Sequence, residues 1–418
     1  MCENVYNKYF ILVVLFFFIP LHSMNLLLRP YDTLLRPAVH LDRCYELAFW
    51  GEVGVRPAKG FRGNGDIVNV LSIWNPDQDA LAMLNGFALD SPITQLRNAV
   101  NAVDDGVRGH LLFDGKLHLD FGGAFGARWY FLPHAWFTAY VPFYKVRLDD
   151  IATTDLTKSI TAADFRVKNL LTNDLASVIS SFGNGLDLTG WKRTGLGDMN
   201  LLVEWWFDFP QERPLLKNVA IDGRVGFTLP TGLKADEDKL FAFPFGYDGA
   251  VGIVYGGGLE VLLTGCLKAG IDVQLLHLFG NTRNRRIKTA IDQTDLLLLA
   301  KAPAYKDYGL TQRFNLFMQA YQVLGGLSFL LGYQFLKKGE DRLQLETCEF
   351  SNLIANTAVS LDEWIVHSLE FNLHYDFDVN LPCDYWVAPQ ASLFARVPFN
   401  GKRAAAFTTV GVMIAADF

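Results

Sequence analysis

TVGVMIAADF, residues 409–418, alternates almost without fault between two sets of side chains. Successive side chains of a β-strand point to opposite faces, so this segment predicts a strand with one apolar and one mixed face. The apolar face carries Val410, Val412, Ile414, Ala416 and Phe418. A soluble sheet protein can also end on such a strand, and the rest of the chain has to separate that case from a membrane barrel.

Segments of the same alternating kind recur from residue 45 onward. They predict about twelve strands (12–14, because the segments near residues 136–148 and 290–302 are ambiguous). The twelve segments lie at about residues 45–57, 112–131, 136–148, 198–209, 218–229, 249–263, 267–279, 309–323, 326–336, 368–377, 385–399 and 404–418.

The connections between these segments fall into two lengths. Long ones follow the first, third, fifth, seventh and ninth strands, at about residues 58–106, 150–194, 232–247, 280–308 and 337–363. The short connection after the eleventh strand, at residues 400–402, breaks this rule. Membrane barrels have an even strand number, short turns at one end and long loops at the other, so the sorting favours a barrel over a sandwich.

Charged and amide side chains fall on the face of each strand opposite the apolar one. On a lipid-facing surface an Arg at the bilayer midplane costs about 2–4 kcal/mol, and acids cost less. In lipid every backbone polar group must be paired, so a sheet has to close on itself. We therefore predict an all-β fold, a transmembrane antiparallel up-and-down β-barrel. Its lumen and solute pathway would be lined by Asp198, Glu204, Asp222, Arg224, Glu370, Asn372, His374 and Asp376. The alternative is an exported soluble sandwich whose charges face water.

Three of the long connections contain apolar residues at helical spacing. They lie at residues 77–103, 162–182 and 352–364. Such apolar stripes need burial. We expect short helices in long extracellular loops, either folded over the mouth or into the lumen, or only bracing the outer rim.

The N-terminus predicts export. Lys8 precedes an apolar run at residues 9–19, and residues 20–23 end it with turn-forming or small side chains. This run suits a signal peptide and is shorter than the ~20 residues that a spanning helix needs. An N-terminal anchor is the alternative. The predicted organisation is a signal peptide at residues 1–23, an N-terminal periplasmic segment at 24–44 and the barrel at 45–418.

Composition agrees with a barrel and excludes some other classes. Aromatic residues make up 14% of the 418 residues, and membrane barrels place aromatic girdles at both interfaces. A net charge of −7 argues against a nucleic-acid partner, which requires basic patches. Neither a metal site nor a cofactor is expected, because no CxxC or His-rich spacing occurs. After export, Cys44, Cys266, Cys348 and Cys383 could form two disulfides, whose pairing the sequence does not define.

Two short motifs carry a resemblance to a known family. Gly195-Leu196-Gly197-Asp198 opens the fourth strand, and Leu229-Pro230-Thr231-Gly232 ends the fifth. Together they resemble the outer-membrane proteins of the phenol-degradation meta-pathway type, which are distantly grouped with long-chain fatty-acid transporter barrels. The resemblance covers about residues 194–232, and the Asn-Pro-Ala signature of true fatty-acid transporters is missing. The same residues also have structural explanations, since Gly allows close backbone approach and Pro-Thr-Gly starts a turn.

The C-terminal aromatic residue carries a second resemblance. Phe418 on an alternating strand is similar to the assembly signal of bacterial outer-membrane barrels. The resemblance implies the Gram-negative outer membrane as location, with outer-membrane lipid and the barrel assembly machinery as partners. It makes no prediction of the oligomeric state.

The predicted function is passive passage of a small, hydrophobic or aromatic solute through an outer-membrane channel. We expect no plug ahead of the first strand and no energy coupling, because no nucleotide motif occurs. We do not expect an enzyme, since Gly-x-Ser-x-Gly, HExxH and phosphate-loop motifs are all missing. The alternative is a surface structural or attachment protein with a closed barrel and interacting loops.

Overall fold

A computed structural model describes residues 32–380 and 386–418, and these residues form a twelve-stranded barrel. The predicted signal peptide and Cys383 lie outside the described residues. The barrel strands are β1 (Tyr45–Gly54), β2 (His110–Leu132), β3 (Ala135–Asp155), β4 (Trp191–Leu196, continuing as Met199–Pro210), β5 (Leu216–Leu229), β6 (Gly252–Leu263), β7 (Leu267–Leu278), β8 (Thr311–Leu324), β9 (Leu327–Lys338), β10 (Trp364–Asp376), β11 (Ala388–Lys402) and β12 (Thr409–Asp417).

Each barrel strand pairs antiparallel with its neighbours in the chain, and the last strand pairs with the first. β12 lies between β11 and β1, with Phe49 opposite Ile414, and β1 pairs on its other side with β2, with Phe49 opposite Phe125. β4 is interrupted at Gly197 and Asp198; its first part pairs with residues 143–148 of β3 and its second part with residues 135–140. The predicted all-β up-and-down barrel of twelve strands is confirmed.

The two ends of the barrel differ as the connection lengths predicted. Short turns follow β2, β4, β6 and β8, and we call this the short-turn end. The connection after β10, at residues 377–387, is longer and starts at the same end. In the β6–β7 turn, Thr264 and Gly265 have φ values of 54° and 80°. This left-handed geometry matches the twist of a tight hairpin. The long loops, including residues 55–109 and 279–310, lie at the opposite end.

The two faces of the barrel wall differ in polarity. On β12, the outward Ile414 is 59% exposed, whereas the inward Met413 and Asp417 are 1% and 0% exposed. The pattern repeats around the barrel, with outward Leu47, Phe125 and Phe227 exposed and inward Glu204 and Arg396 buried. The outer surface is therefore apolar and the inner one polar. Among the described residues, no helix has both the length and the apolar character to cross a bilayer.

The long loops contain the expected short helices. They are α1 (Pro92–Val100), α2 (Ala162–Val167, followed by a π-helical turn at Lys168–Thr172), α3 (Leu175–Phe182) and α4 (Asn352–Ala355). Short 3₁₀ turns lie at Thr33–Leu35, Val70–Ser72, Ala82–Leu84, Val359–Leu361 and Asp378–Asn380. The remaining strands pair outside the barrel wall or at its rim: Lys59–Phe61 with Ile67–Val68 and Ala404–Ala406, Gln78–Asp79 with β2, and Asn281–Arg286 with Lys301–Asp307 and Arg342–Leu345.

Local sequence explains where the loop helices begin. Ser91 caps α1 through the amide of Thr94, and Pro92 occupies the first turn, where its missing N–H is not needed. Thr161 and Asp164 form a reciprocal capping box at the start of α2.

The apolar faces of these helices are buried against the inside of the barrel. Val100, Leu171 and Ile179 belong to one hydrophobic cluster with the inward residues Leu117 and Val146 of β2 and β3. The loops therefore pack over the mouth at the long-loop end, and do more than brace its rim.

Candidate functional site

Residues 32–40 lie inside the lumen, and residues 41–44 lead from it to β1. We call residues 32–44 the plug. Asp32 starts a 3₁₀ turn at Thr33–Leu35 by accepting the amide of Leu34. Trp50 of β1 donates its indole N–H to the carbonyl of Leu35 at 3.0 Å. A side chain at position 332 would collide with Leu34, so Gly332 of β9 makes room for the plug. The expectation of a barrel with no plug ahead of its first strand is wrong. The described part of the predicted periplasmic segment 24–44 lies within the barrel.

An ionic cluster on the β8–β11 side of the lumen holds the N-terminal end of the plug. Asp32 pairs with Arg313 of β8 at 3.2 Å and with Arg396 of β11, and it also accepts the amide of Gln334. Arg396 contacts the carboxylate of the predicted lumen residue Glu370 at 2.8 Å. All five side chains are buried. Buried charges are costly unless they are paired, so the plug and the wall neutralise each other here.

A second cluster on the β4–β7 side brings together three predicted lumen residues. Arg36 of the plug contacts Glu204 at 3.2 Å and Asp222 at 3.9 Å. Glu204 also accepts the indole N–H of Trp136 at 3.1 Å. Arg224 pairs with Asp222 at 2.7 Å. It reaches Asp272 of β7 as well, whose carboxylate accepts the hydroxyl of Thr33 at 2.8 Å.

A third group holds the C-terminal half of the plug. His40 contacts Asp376 of β10 at 3.2 Å and Asp417 of β12 at 2.9 Å. Burial opposes protonation of His40, but its hydrogen bonds to both carboxylates outweigh burial and raise its pKa to about 10. The imidazole is therefore a cation at neutral pH. Arg43 extends the same side of the plug to Asp378, at 3.1 Å.

Asn372 and His374 lie on β10 beside these groups. Asn372 approaches the carbonyl of Leu34 at 3.4 Å, and the Nδ1 atom of His374 lies 2.8 Å from the Ser392 hydroxyl. Their remaining polar atoms, Oδ1 of Asn372 and Nε2 of His374, have no hydrogen-bond partner among residues 32–380 and 386–418.

Asp198 stands apart from the other predicted lumen residues. It lies at the interruption of β4 and accepts the amides of Gly232, at 2.7 Å, and Tyr247. Thr231 donates its hydroxyl to the carbonyl of Gly197 at 3.0 Å. The Gly195–Asp198 and Leu229–Gly232 motifs therefore contact each other directly and fix the loop after β5 to the break in β4.

A cavity of ≈530 Å³ opens within the lumen towards the short-turn end. The plug forms one wall, and the predicted residues Asp222, Asn372, His374 and Asp376 line the others. Trp206, Phe317 and Tyr321 add aromatic surface. Glu204, Arg224 and Glu370 lie outside the cavity lining, in the ionic clusters that hold the plug.

Sequence analysis missed the residues that the plug contributes. Asp32, Arg36 and His40 belong to a segment with no alternating pattern, so periodicity could not place them. Asp272 could have been found, because Lys268, Asp272 and Gln274 share one face of β7. Among the described residues, Cys44, Cys266 and Cys348 are not joined to one another by disulfides.

Comparisons with known proteins found solved structures of low similarity. The chain matches no protein-family model and no curated protein sequence. It is similar to a solved outer membrane channel from Pseudomonas putida F1, with 12% identity over 94% of this chain and 100% of that chain, at a TM-score of 0.49. A FadL homologue from Pseudomonas aeruginosa shares 8% identity over 90% of this chain and 89% of that one, at a TM-score of 0.28.

A third solved structure is the toluene transporter TbuX from Ralstonia pickettii, with 12% identity over 90% of this chain and 89% of that chain, at a TM-score of 0.32. The resemblance to fatty-acid transporter barrels and the closer likeness to the phenol-degradation type rest on the sequence motifs, and the closer likeness stays a prediction. Such low similarities leave the function to be argued from the chain itself.

Proposed function

We propose that the protein is an outer-membrane channel for passive passage of small hydrophobic or aromatic solutes, closed by its own plug. The observation that carries the proposal is a polar lumen with a ≈530 Å³ cavity, enclosed by a barrel whose outer face is apolar. A polar interior inside an apolar exterior is the arrangement expected of a membrane channel.

The outer face supports a location in a membrane. Large apolar side chains such as Leu47, Phe125, Phe227 and Ile414 are more than half exposed around the barrel. Contiguous apolar surface of this kind is rare on soluble monomers and marks contact with lipid or a partner. The closed sheet leaves no unpaired edge, which is the condition for a β-structure to span a bilayer. The predicted signal peptide adds the route to the outer membrane.

The cavity supports the solute class. Its volume lies within the range of about 300–1,000 Å³ that small-molecule sites occupy. Phe317 packs over Gly270, where a Cβ atom would lie 2.5 Å from its ring. The inward aromatic ring is therefore accommodated by the wall and can contact a solute.

The plug makes passage conditional. Asp32 and Arg36 join opposite sides of the lumen through buried ion pairs. Passage therefore requires these pairs to separate and the plug to move. The same observation favours a second candidate, a structural or attachment barrel in which the lumen stays closed.

Planar-bilayer recordings and liposome swelling on the refolded full chain separate the two candidates. A channel should show steady current, and Arg36→Ala should raise the current because Glu204 loses its contact with the plug. Arg56→Ala is the matched control, since Arg56 is exposed and bonds only to Thr408 in the described contacts, at 3.1 Å. If both variants and the parent chain are silent, the structural candidate is favoured.

A further inference from the structure

The lining of the cavity is predominantly acidic. Its positively charged side chains are Arg36, His40 and Lys268. Its carboxylates are twice as numerous: Asp208, Asp222, Glu260, Asp272, Asp376 and Asp378. Arg224 and Arg43, which lie outside the lining, pair with Asp222, Asp272 and Asp378. The negative charge that remains available to a bound cation is therefore centred on Asp208.

The cations of the lining are already engaged with carboxylates. Arg36 contacts Glu204 and Asp222 as described above, and His40 lies between Asp376 and Asp417. Lys268 pairs with Glu260 at 2.8 Å. In contrast, the carboxylate of Asp208 accepts neutral donors, the indole of Trp206 at 2.8 Å and the amide of Asn218 at 2.7 Å. No cation of the described chain lies within ion-pair distance of Asp208.

Hydrogen-bond acceptors without partners also line the cavity. Among the described residues, the carbonyl oxygens of Asn218 and Asn372 have none, and neither has the Nε2 atom of His374, which accepts when Nδ1 carries the ring proton. Asn372 is only 5% exposed, so its oxygen has lost most of its contact with bulk water. A buried acceptor without a partner is unfavourable, and a ligand that donates hydrogen bonds removes this cost.

The aromatic part of the lining can hold an apolar body next to a cation. The ammonium of Lys268 lies 3.9 Å from the centre of the Tyr321 ring, so this ring already accepts a positive charge over its face. Phe317 lies on the same strand, four residues away on the same face.

We propose that this cavity binds a small arylalkylammonium ion, with its nitrogen among the carboxylates near Asp208 and its ring against Phe317 and Tyr321. An ammonium group supplies up to three donors to the acceptors of the lining. A carboxylate of the same shape would be repelled by Asp208, whose charge is not balanced by a cation of the described residues. The inference rests on the proposed function, since it names the solute class that the channel would select.

Isothermal titration calorimetry on the full chain in detergent tests it with three probes of similar shape: 2-phenylethylammonium, 2-phenylethanol and 3-phenylpropionate. The ammonium should bind most tightly and the carboxylate most weakly, and added salt should reduce the difference. Asp208→Asn should weaken ammonium binding by about fivefold, as expected for one partly exposed charge, and leave the alcohol unchanged. Lys268→Gln should act in the opposite direction, because it releases Glu260.

Asp90→Asn, on an exposed long loop at the other end, is the charge-matched control and should change nothing. Equal binding of ammonium and carboxylate, shifts of the same sign in the two cavity variants, or no binding of any probe would overturn the inference. Calorimetry requires no passage through a membrane. A barrel that binds the ammonium but carries no current therefore contradicts the proposed function alone, and a conducting barrel that binds no probe contradicts this inference alone.

Discussion

Asp32→Ala should release the plug. Asp32 is the carboxylate that joins the plug to Arg313 and Arg396, and the guanidinium groups of both arginines are buried. Removing one partner of a buried ion pair costs about 3–5 kcal/mol, because the remaining charge is left without compensation. Arg396 keeps its contact with Glu370 at 2.8 Å. We therefore take the lower end, about 3 kcal/mol, which corresponds to about a hundredfold shift toward the undocked plug.

Single-channel recording measures this shift as the fraction of time that the barrel conducts. A parallel readout is maleimide labelling of Leu35→Cys, which is buried in the docked plug and becomes reachable when the plug leaves. Asp42→Ala is the matched control within the same segment. The Asp42 side chain is 75% exposed, and its nearest cation, Arg43, lies 3.7 Å away.

The reasoning fails if Asp32→Ala folds into the same barrel with unchanged open fraction and labelling rate. That result would mean that the apolar and backbone contacts of the plug, such as Leu35 with Trp50, hold it without help from the ionic cluster. An increase in Asp42→Ala as large as in Asp32→Ala would also refute it, because the effect would then not depend on burial.

Three further expectations concern pH, loop anchoring and assembly. His40 has a pKa of about 10 in the docked plug and about 6.5 when free, so docking takes up a proton above pH 6.5. Docking of the plug should therefore be strongest below about pH 6.5 and weaken by up to about tenfold per pH unit as the pH rises towards 10. The same labelling assay measures this dependence. Gly246→Ala places a Cβ atom against the Asp198 carboxylate and should destabilise the barrel by about 1–3 kcal/mol in chemical unfolding. Gly106→Ala meets no neighbouring atom but has a φ of 81°, which Gly246 does not share, so it gives an upper limit for the backbone effect of the substitution. Phe418→Ala keeps the backbone hydrogen bonds to Tyr45, at 2.7 Å, and to Cys44, at 2.8 Å. The free energy of unfolding of the refolded barrel should therefore fall by less than about 1 kcal/mol. In cells, less of the variant should be found assembled in membranes.

The barrel was predictable because its wall obeys one local rule. Each strand has one face towards lipid and the other towards the lumen, so apolar and polar side chains alternate with period 2 in every strand segment. The twelve predicted segments correspond to the twelve strands of the barrel. The largest differences are that β3 runs to Asp155, beyond the predicted end near residue 148, and that β4 begins at Trp191, before the predicted start near residue 198. There both strands extend into the long-loop end, and membrane contact no longer imposes the pattern.

The plug could not be predicted in the same way. The ion pairs that join the plug to the barrel wall link residues more than 160 positions apart, as in Arg36 with Glu204 and Asp32 with Arg396. No local period encodes such contacts, because they depend on the closure of the barrel. Asp198 shows the converse problem: its side chain has the inward phase that was predicted, yet it bonds to a loop because the strand breaks at that point.

The charges of the lumen and the presence of the plug are connected by barrel geometry. Eight strands enclose an interior that side chains alone can fill, whereas a wider barrel leaves space that must be occupied by water or by chain. The inward side chains of Arg224, Arg313 and Arg396 need counter-charges whether the plug is docked or has left. When the plug is docked, Asp32 supplies one to the β8–β11 side, and Arg36 in turn neutralises acids on the β4–β7 side. When the plug leaves, water solvates the same groups, and the lumen becomes a hydrated path lined by them. The residues that hold the barrel closed are therefore those that make its open form polar. A variant series that replaced Arg313, Arg396, Glu370 and Asp32 together by apolar residues should hold the plug at least as firmly, yet give a barrel that conducts poorly even after the plug is removed.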